Sequence, residues 1–193
     1  MSPDRQPLEF LIPALWIVWM LYWWIAARGA KPTRRSESVL SRASYIVPLM
    51  VAIWLLAARR VPIAFLNEPV LPRALALFVA GALLTAIGLA FTVWARVHLA
   101  GNWSATVTIK ENHTLVRDGP YRYVRHPIYT GILLAIVGSA LARDEWRAVV
   151  AVAIAFVSFW RKLRLEERWL TEVFGADYQR YRREVRALIP FVV

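Results

Sequence analysis

Cysteine is absent from this 193-residue chain, which excludes disulfide bridges, thiolate metal sites and a cysteine nucleophile together. Histidine is scarce: His98, His113 and His126 are too scattered for a ligand cluster at short helical spacing, so no metal site is expected. Acidic residues are few, 13 against 24 Lys and Arg, and the net charge is +11. A pI near 10.8 raises nucleic acid as a partner. No groove-reading motif accompanies the charge, however, and the basic residues lie between apolar runs and in the tail, where anionic lipid headgroups are the nearer partner.

What the chain has in abundance is apolar length. Hydrophobic residues make up 59% of it, ten residues are Trp, and the mean hydropathy is +0.44; a soluble domain of this size is more polar. The run 8–27 is long enough to cross a bilayer as a helix, and Trp16, Trp19, Trp23 and Trp24 suggest an interfacial belt. It is longer and more aromatic than the core of a signal peptide. Runs 44–58 and 74–95 follow, then the shorter pair 128–141 and 146–160, joined by Ala142-Arg143-Asp144-Glu145 as a helical hairpin. The short runs need tilt, extension or a thinned bilayer to cross. Pro13 and Pro48 fall inside runs and can bend them. The expected fold is an all-α integral membrane protein with about five transmembrane helices, a small cytoplasmic segment and a C-terminal helix, in one membrane-embedded domain over 1–193.

Most of the Lys and Arg residues fall in 28–43, 96–127 and the tail from Arg161. With five crossings these share one side, so the positive-inside rule places them in the cytoplasm and the N-terminus outside. Gly131, Ala135 and Ser139 recur at four-residue spacing, as do Ala82, Ala86 and Ala90, and Ala151 with Ala155; small residues in register allow close helix approach.

The polar chemistry is concentrated just before the fourth run, in Tyr121-Arg122-Tyr123-Val124-Arg125-His126-Pro127-Ile128-Tyr129. Charged and hydrogen-bonding groups at the mouth of a membrane helix mark a site. Pro127 suits the first helical turn, which puts His126 near the N-cap and Arg125 and Tyr129 one turn apart. Open backbone N–H groups there favour an anion; Arg125 can grip a carboxylate, and Tyr121 and Tyr129 can stack on a flat ring. Upstream, 105–109 alternate in the manner of a short extended segment, and Glu111-Asn112-His113 and Asp118-Gly119-Pro120 are turn signals. In the tail, Glu166 and Glu167 lie on helix faces from which a carboxylate can point back at the bundle, and Gly175 is a helix stop.

Arg125-His126-Pro127-Ile128-Tyr129, preceded by His113-Thr114-Leu115-Val116 and Gly119-Pro120-Tyr121 and followed by Glu166-Glu167, Phe174-Gly175, Tyr178, Tyr181 and Leu188-Ile189-Pro190, resembles the isoprenylcysteine carboxyl methyltransferase family. The likeness covers about 98–193, whereas 1–97 matches only in carrying the first three membrane helices. It implies that 98–193 holds a cofactor-binding loop, the hairpin and an amphipathic tail. S-adenosyl-L-methionine would sit in a cytosol-facing pocket formed by His113, Thr114, Leu115, Val116, Tyr121, His126, Pro127, Ile128, Tyr129 and Glu166, and a lipophilic acceptor would enter from the bilayer. Arg125, Arg161 and Lys162 would position an anionic acceptor. The family places an arginine near the position of Lys162, and a lysine cannot reproduce that planar grip. The expected reaction is O-methylation of a carboxylate such as that of a prenylcysteine or related isoprenoid, in a prokaryotic cytoplasmic membrane. Phospholipid N-methylation, thiol S-methylation and NADPH-dependent sterol-type reduction are the alternatives. A carboxylate acceptor is already ionised at neutral pH and needs no base; for an amine or thiol, His126 or Glu167 would be the candidate base.

Overall fold

In hydrocarbon a backbone must satisfy its own polar groups, so long apolar runs fold as helices. The computed structural model describes residues 8, 10–29, 32–72, 74–110 and 114–189. It contains α1 (Leu11–Ala26), β1 (Thr33–Ser36), α2 (Val39–Ala57), α3 (Leu75–Leu99), β2 (Thr108–Lys110), α4 (Pro127–Arg143), α5 (Trp146–Phe174) and α6 (Ala176–Glu184), with short 3-10 turns between. α2 and α3 are long and apolar enough to cross a bilayer; α1 and α4 are apolar but shorter. Pro48 is accommodated inside α2. Pro127 opens α4 behind the N-cap residue His126, and Gly175, at φ +52, ends α5.

The closest helix contact is α3 against α4. Gly88 faces Ala135 and Gly131 so closely that a Cβ there would lie 2.6 Å from the Ala135 amide nitrogen and the Gly131 carbonyl oxygen. Gly81 meets Gly138 and Ala142 in the same way. Gly131, Ala135 and Ser139 on α4 therefore do form the expected small-residue face. On α3 the close contacts are made by Gly81, Thr85, Gly88 and Thr92; of the expected Ala82, Ala86 and Ala90, Ala82 is buried, Ala86 half-buried and Ala90 exposed. Close approach needs glycine at the crossing points, and alanine spacing alone did not identify that register. α2 packs on α5 through Ala52 and Leu55 against Ala151, Ala155 and Phe159.

The tryptophans of α1 depart from a simple interfacial belt. Trp16 Nε1 donates to Ser139 Oγ at 3.0 Å and Trp19 Nε1 to Thr92 Oγ1 at 2.6 Å, fastening α1 to the α3–α4 pair. Trp23 turns inward onto Trp103, and Trp24 remains exposed beneath the Arg28 guanidinium.

The two ends of the bundle differ. At one, Arg143 donates to Leu56 O and Ala58 O, and the fully buried Arg147 donates to Ala58 O and Arg59 O, with Glu145 beside both cations. These arginines satisfy the open carbonyls at the C-terminus of α2. The other end gathers the segments before α2, between α3 and α4, and after Arg161. There β1 pairs antiparallel with β2, Thr33 opposite Lys110 and Ser36 opposite Thr108, with an irregularity between Thr33 and Arg35. The extended segment expected near 105–109 thus exists slightly later in the chain, and it has a partner strand.

Candidate active site

A cavity of about 270 Å³ opens at the gathered end, between the β2 approach, the start of α4 and the charged half of α5. That volume is close to the lower end of the range for small-molecule sites, about 300 Å³. Of the residues expected from sequence, Thr114, Leu115, Val116, Tyr121, Arg125, His126, Pro127, Ile128, Tyr129, Lys162 and Glu166 line it. His113 lies outside the described residues. Arg161 does not line the cavity: it is exposed and donates to Ser44 Oγ, because one step along α5 rotates it away from its buried neighbour Lys162.

Tyr129, in the first turn of α4, donates its hydroxyl to Glu166 Oε2 at 2.6 Å. Its ring lies parallel to that of His126, with centroids 5.4 Å apart, and packs against Phe159 at 5.2 Å. Lys162 Nζ sits 5.1 Å from the Tyr129 ring centroid and 5.4 Å from that of Tyr45, within cation–π range. It donates to Ala105 O at 2.7 Å. Tyr121 is buried, and its carbonyl accepts the Tyr181 hydroxyl at 2.5 Å. Burial, and then the charge of Glu166, push the Tyr121 hydroxyl well above its ordinary value; Tyr121 is therefore neutral at physiological pH and can serve as a donor.

The two adjacent glutamates differ. Glu166 has a side chain 34% exposed, open to the cavity. Glu167 is 5% exposed and accepts from Arg125 Nε at 2.8 Å and Nη2 at 2.5 Å, with His126 Nε2 at 3.3 Å and Arg182 Nε at 3.5 Å. Burial raises Glu167, but the hydrogen bonds and charges of His126 and Arg125 outweigh it and hold the carboxyl at about 2. A group so weakly basic is unsuited to accept a proton, which removes Glu167 as the base for an amine or thiol acceptor.

Arg125 is likewise committed. Its remaining nitrogen donates to the carbonyls of Val185 and Arg182, so the guanidinium expected to grip an acceptor carboxylate instead ties the tail to the start of α4. The backbone repeats the connection: Arg125 N donates to Arg186 O at 2.8 Å, His126 N to Ala187 O at 3.0 Å, and Thr130 Oγ1 to Leu188 O at 2.7 Å.

Sequence reasoning missed Glu37 and Tyr45. Glu37 is buried between β1 and α2 and accepts from the Tyr45 hydroxyl, Ser41 Oγ at 2.8 Å and Val107 N at 3.1 Å. It fixes the wall that carries Val107 and Ala105. The available signal was a lone acid in a basic segment, too weak to read without its partner 70 residues onward.

The structure is thus a helical bundle with two helices long and apolar enough to cross a membrane, carrying at its gathered end an aromatic-lined pocket with Glu166 and the buried Lys162. The family profile described as phospholipid methyltransferase matches residues 76–177, and the chain belongs to that family. It is 33% identical over 118 residues to the protein-S-isoprenylcysteine O-methyltransferase of Saccharomyces cerevisiae, covering 59% of this chain and 49% of the relative. To the enzyme of that name from Schizosaccharomyces pombe it is 32% identical over 101 residues, 51% and 43% of the two chains. A methanethiol S-methyltransferase of Bradyrhizobium diazoefficiens is 34% identical over 71 residues, 37% of this chain and 24% of that one. The resemblance read from the sequence is thereby borne out. The chain matches about half the length of the isoprenylcysteine relatives.

Proposed function

We propose that the protein transfers a methyl group from S-adenosyl-L-methionine to a lipophilic carboxylate acceptor within the membrane. The observation that carries this reading is the Tyr129–Glu166 hydrogen bond at the pocket wall, with Lys162 buried beside it. The donor set fits the methyl donor. Glu166 keeps an oxygen for hydroxyls or an ammonium, Tyr121 and Trp103 offer ring faces, and the stretch 114–116 supplies backbone and apolar contacts. When bound, that cofactor supplies an electrophilic methyl group on a sulfonium.

The protein's own residues then have limited tasks. Lys162 uses one of its three donors on Ala105 O and turns the others toward an acceptor carboxylate, taking the role expected of Arg125 and Arg161. Tyr129 and Phe159 wall off water, and Ile132 and Leu49 line the apolar side. An ionised carboxylate needs no proton removed, so rate enhancement comes from alignment and from excluding water. The relative named for methanethiol supports thiol methylation as the second reading. In that case His126 is the remaining candidate base, and the Lys162 cation is dispensable.

The layout also supports five crossings by α1 to α5, with the gathered end cytoplasmic, because the segments that meet there carry most of the Lys and Arg.

Calorimetry of the solubilised protein tests the donor: S-adenosyl-L-methionine should bind, NADPH should not, and Glu166→Gln should weaken the first. Binding of NADPH alone would turn the reading toward reduction. Lys162→Ala should spare donor affinity and raise the KM for a carboxylate acceptor by about tenfold to a hundredfold, the loss of one charge-assisted hydrogen bond. If thiol acceptors were turned over and Lys162→Ala left their KM unchanged, the thiol reading would replace the carboxylate one.

A further inference from the structure

Outside the pocket, the strongest unassigned feature is a basic hollow of about 500 Å³ on the other side of Arg125, lined by Trp160, Gln179, Arg182, Arg183 and Arg186. Its chemistry is graded along α5. Phe156 and Val157 are exposed apolar residues in the crossing part of the helix. One turn on, Trp160 stacks on Phe156 at 6.0 Å, and a further turn on, the Arg164 guanidinium lies 5.5 Å from the Trp160 ring centroid. An apolar stripe, an indole and a group of guanidinium ions, in that order, match an acyl chain, a glycerol ester region and a phosphate. Among the described residues, Arg164, Arg183 and Arg186 have no carboxylate within 4 Å, whereas Arg125 and Arg182 are paired with Glu167.

We propose that this hollow binds the headgroup of an anionic phospholipid, and that the lipid holds the segment after α6 against the start of α4. Arg186 connects the two. Its side chain lines the hollow, while its carbonyl accepts the Arg125 amide at 2.8 Å and the next carbonyl, that of Ala187, accepts the His126 amide at 3.0 Å. A phosphate bridging Arg183 and Arg186 therefore secures the backbone on which His126 is seated. The effect on the pocket rests on the methyl-donor reading, whereas lipid binding itself does not.

The test uses the whole protein in detergent, melted with added short-chain phosphatidylglycerol, phosphatidylcholine or inorganic phosphate, with donor binding measured by calorimetry in the same samples. Phosphatidylglycerol should raise the melting temperature and tighten S-adenosyl-L-methionine binding, and phosphatidylcholine should do neither. Each arginine near an anionic surface contributes about fivefold in affinity, so Arg183→Gln with Arg186→Gln should weaken the phosphatidylglycerol response about twenty-fivefold. Arg183→Lys with Arg186→Lys retains the charge and should keep most of the response, which separates lost charge from lost folding. An undiminished response in the Gln pair, or an equal response to phosphatidylcholine, would overturn the site. An equal response to inorganic phosphate would show a free-phosphate site and overturn the lipid assignment. A lipid response without any change in donor affinity would overturn the coupling, and loss of donor binding altogether, with the lipid response intact, would sink the methyl-donor reading instead.

Discussion

Glu166 and Glu167 are neighbours in sequence and opposites in use. Replacing Glu167 by Gln strands the Arg125 guanidinium, whose side chain is 8% exposed, without its carboxylate, and such losses cost about 3–5 kcal/mol. The melting temperature should fall markedly and donor binding with it. Glu166→Gln should leave melting nearly unchanged and reduce donor affinity alone. Acid should mimic the first substitution. Glu167 is held at about 2 against an ordinary 4.5, so its contribution is complete above the ordinary value and is lost as pH falls through that interval. Melting curves taken from neutral pH down to about 3 should show progressive loss in the wild type and a smaller acid dependence in Glu167→Gln. The sequence brought both acids and Arg125 to attention, since a polar cluster at a helix mouth is conspicuous. The family resemblance put Glu166 in the pocket; what no residue pattern showed is that Glu167 and Arg125 are tied to each other, because that arrangement depends on carbonyls at Arg182 and Val185, far along the chain. Lys162 and Arg161 were likewise a pair in sequence until the helix face separated them.

Among the elements, α3 and α4 are the pair least able to yield. A methyl group at Gly88 would meet backbone on the opposing helix at 2.6 Å, and no rotamer change relieves a backbone contact. Gly88→Ala should destabilise the protein by about 1–3 kcal/mol, read as a lower melting temperature, while Ala90→Leu on the exposed side of the same helix should be nearly neutral. The positions of all five long helices were legible from apolar runs, and the Pro127 start and Gly175 stop from residue chemistry. The unbroken course of α5 was not: the apolar run ends at Trp160, but no glycine or proline interrupts the chain before Gly175, so the helix continues from an apolar into a charged stretch. Nor was β1, because Thr-Arg-Arg-Ser has little strand character of its own and pairs only with a segment beyond two intervening helices.

For the molecule as a whole, the alternation of ends gives a direct check. With five crossings, a reporter fused after Val193 should be cytoplasmic and one fused before Met1 external; both on one side would rule out that count. The division of labour also follows the chain: α1 to α3 supply an apolar frame, and the polar chemistry comes from the loop before α4 and from α5 onward. The parallel bridge between Val124 and Arg186 joins those two sources. It closes a loop of roughly sixty residues, and closing it costs entropy that only the finished hairpin can offset, so this link should form late in folding and open early. Because the amides of Arg125 and His126 donate across it, hydrogen–deuterium exchange at those two positions should run faster than in the α4 interior and slow when a ligand fills the pocket, making a pair of backbone protons into a clock for the opening of the site.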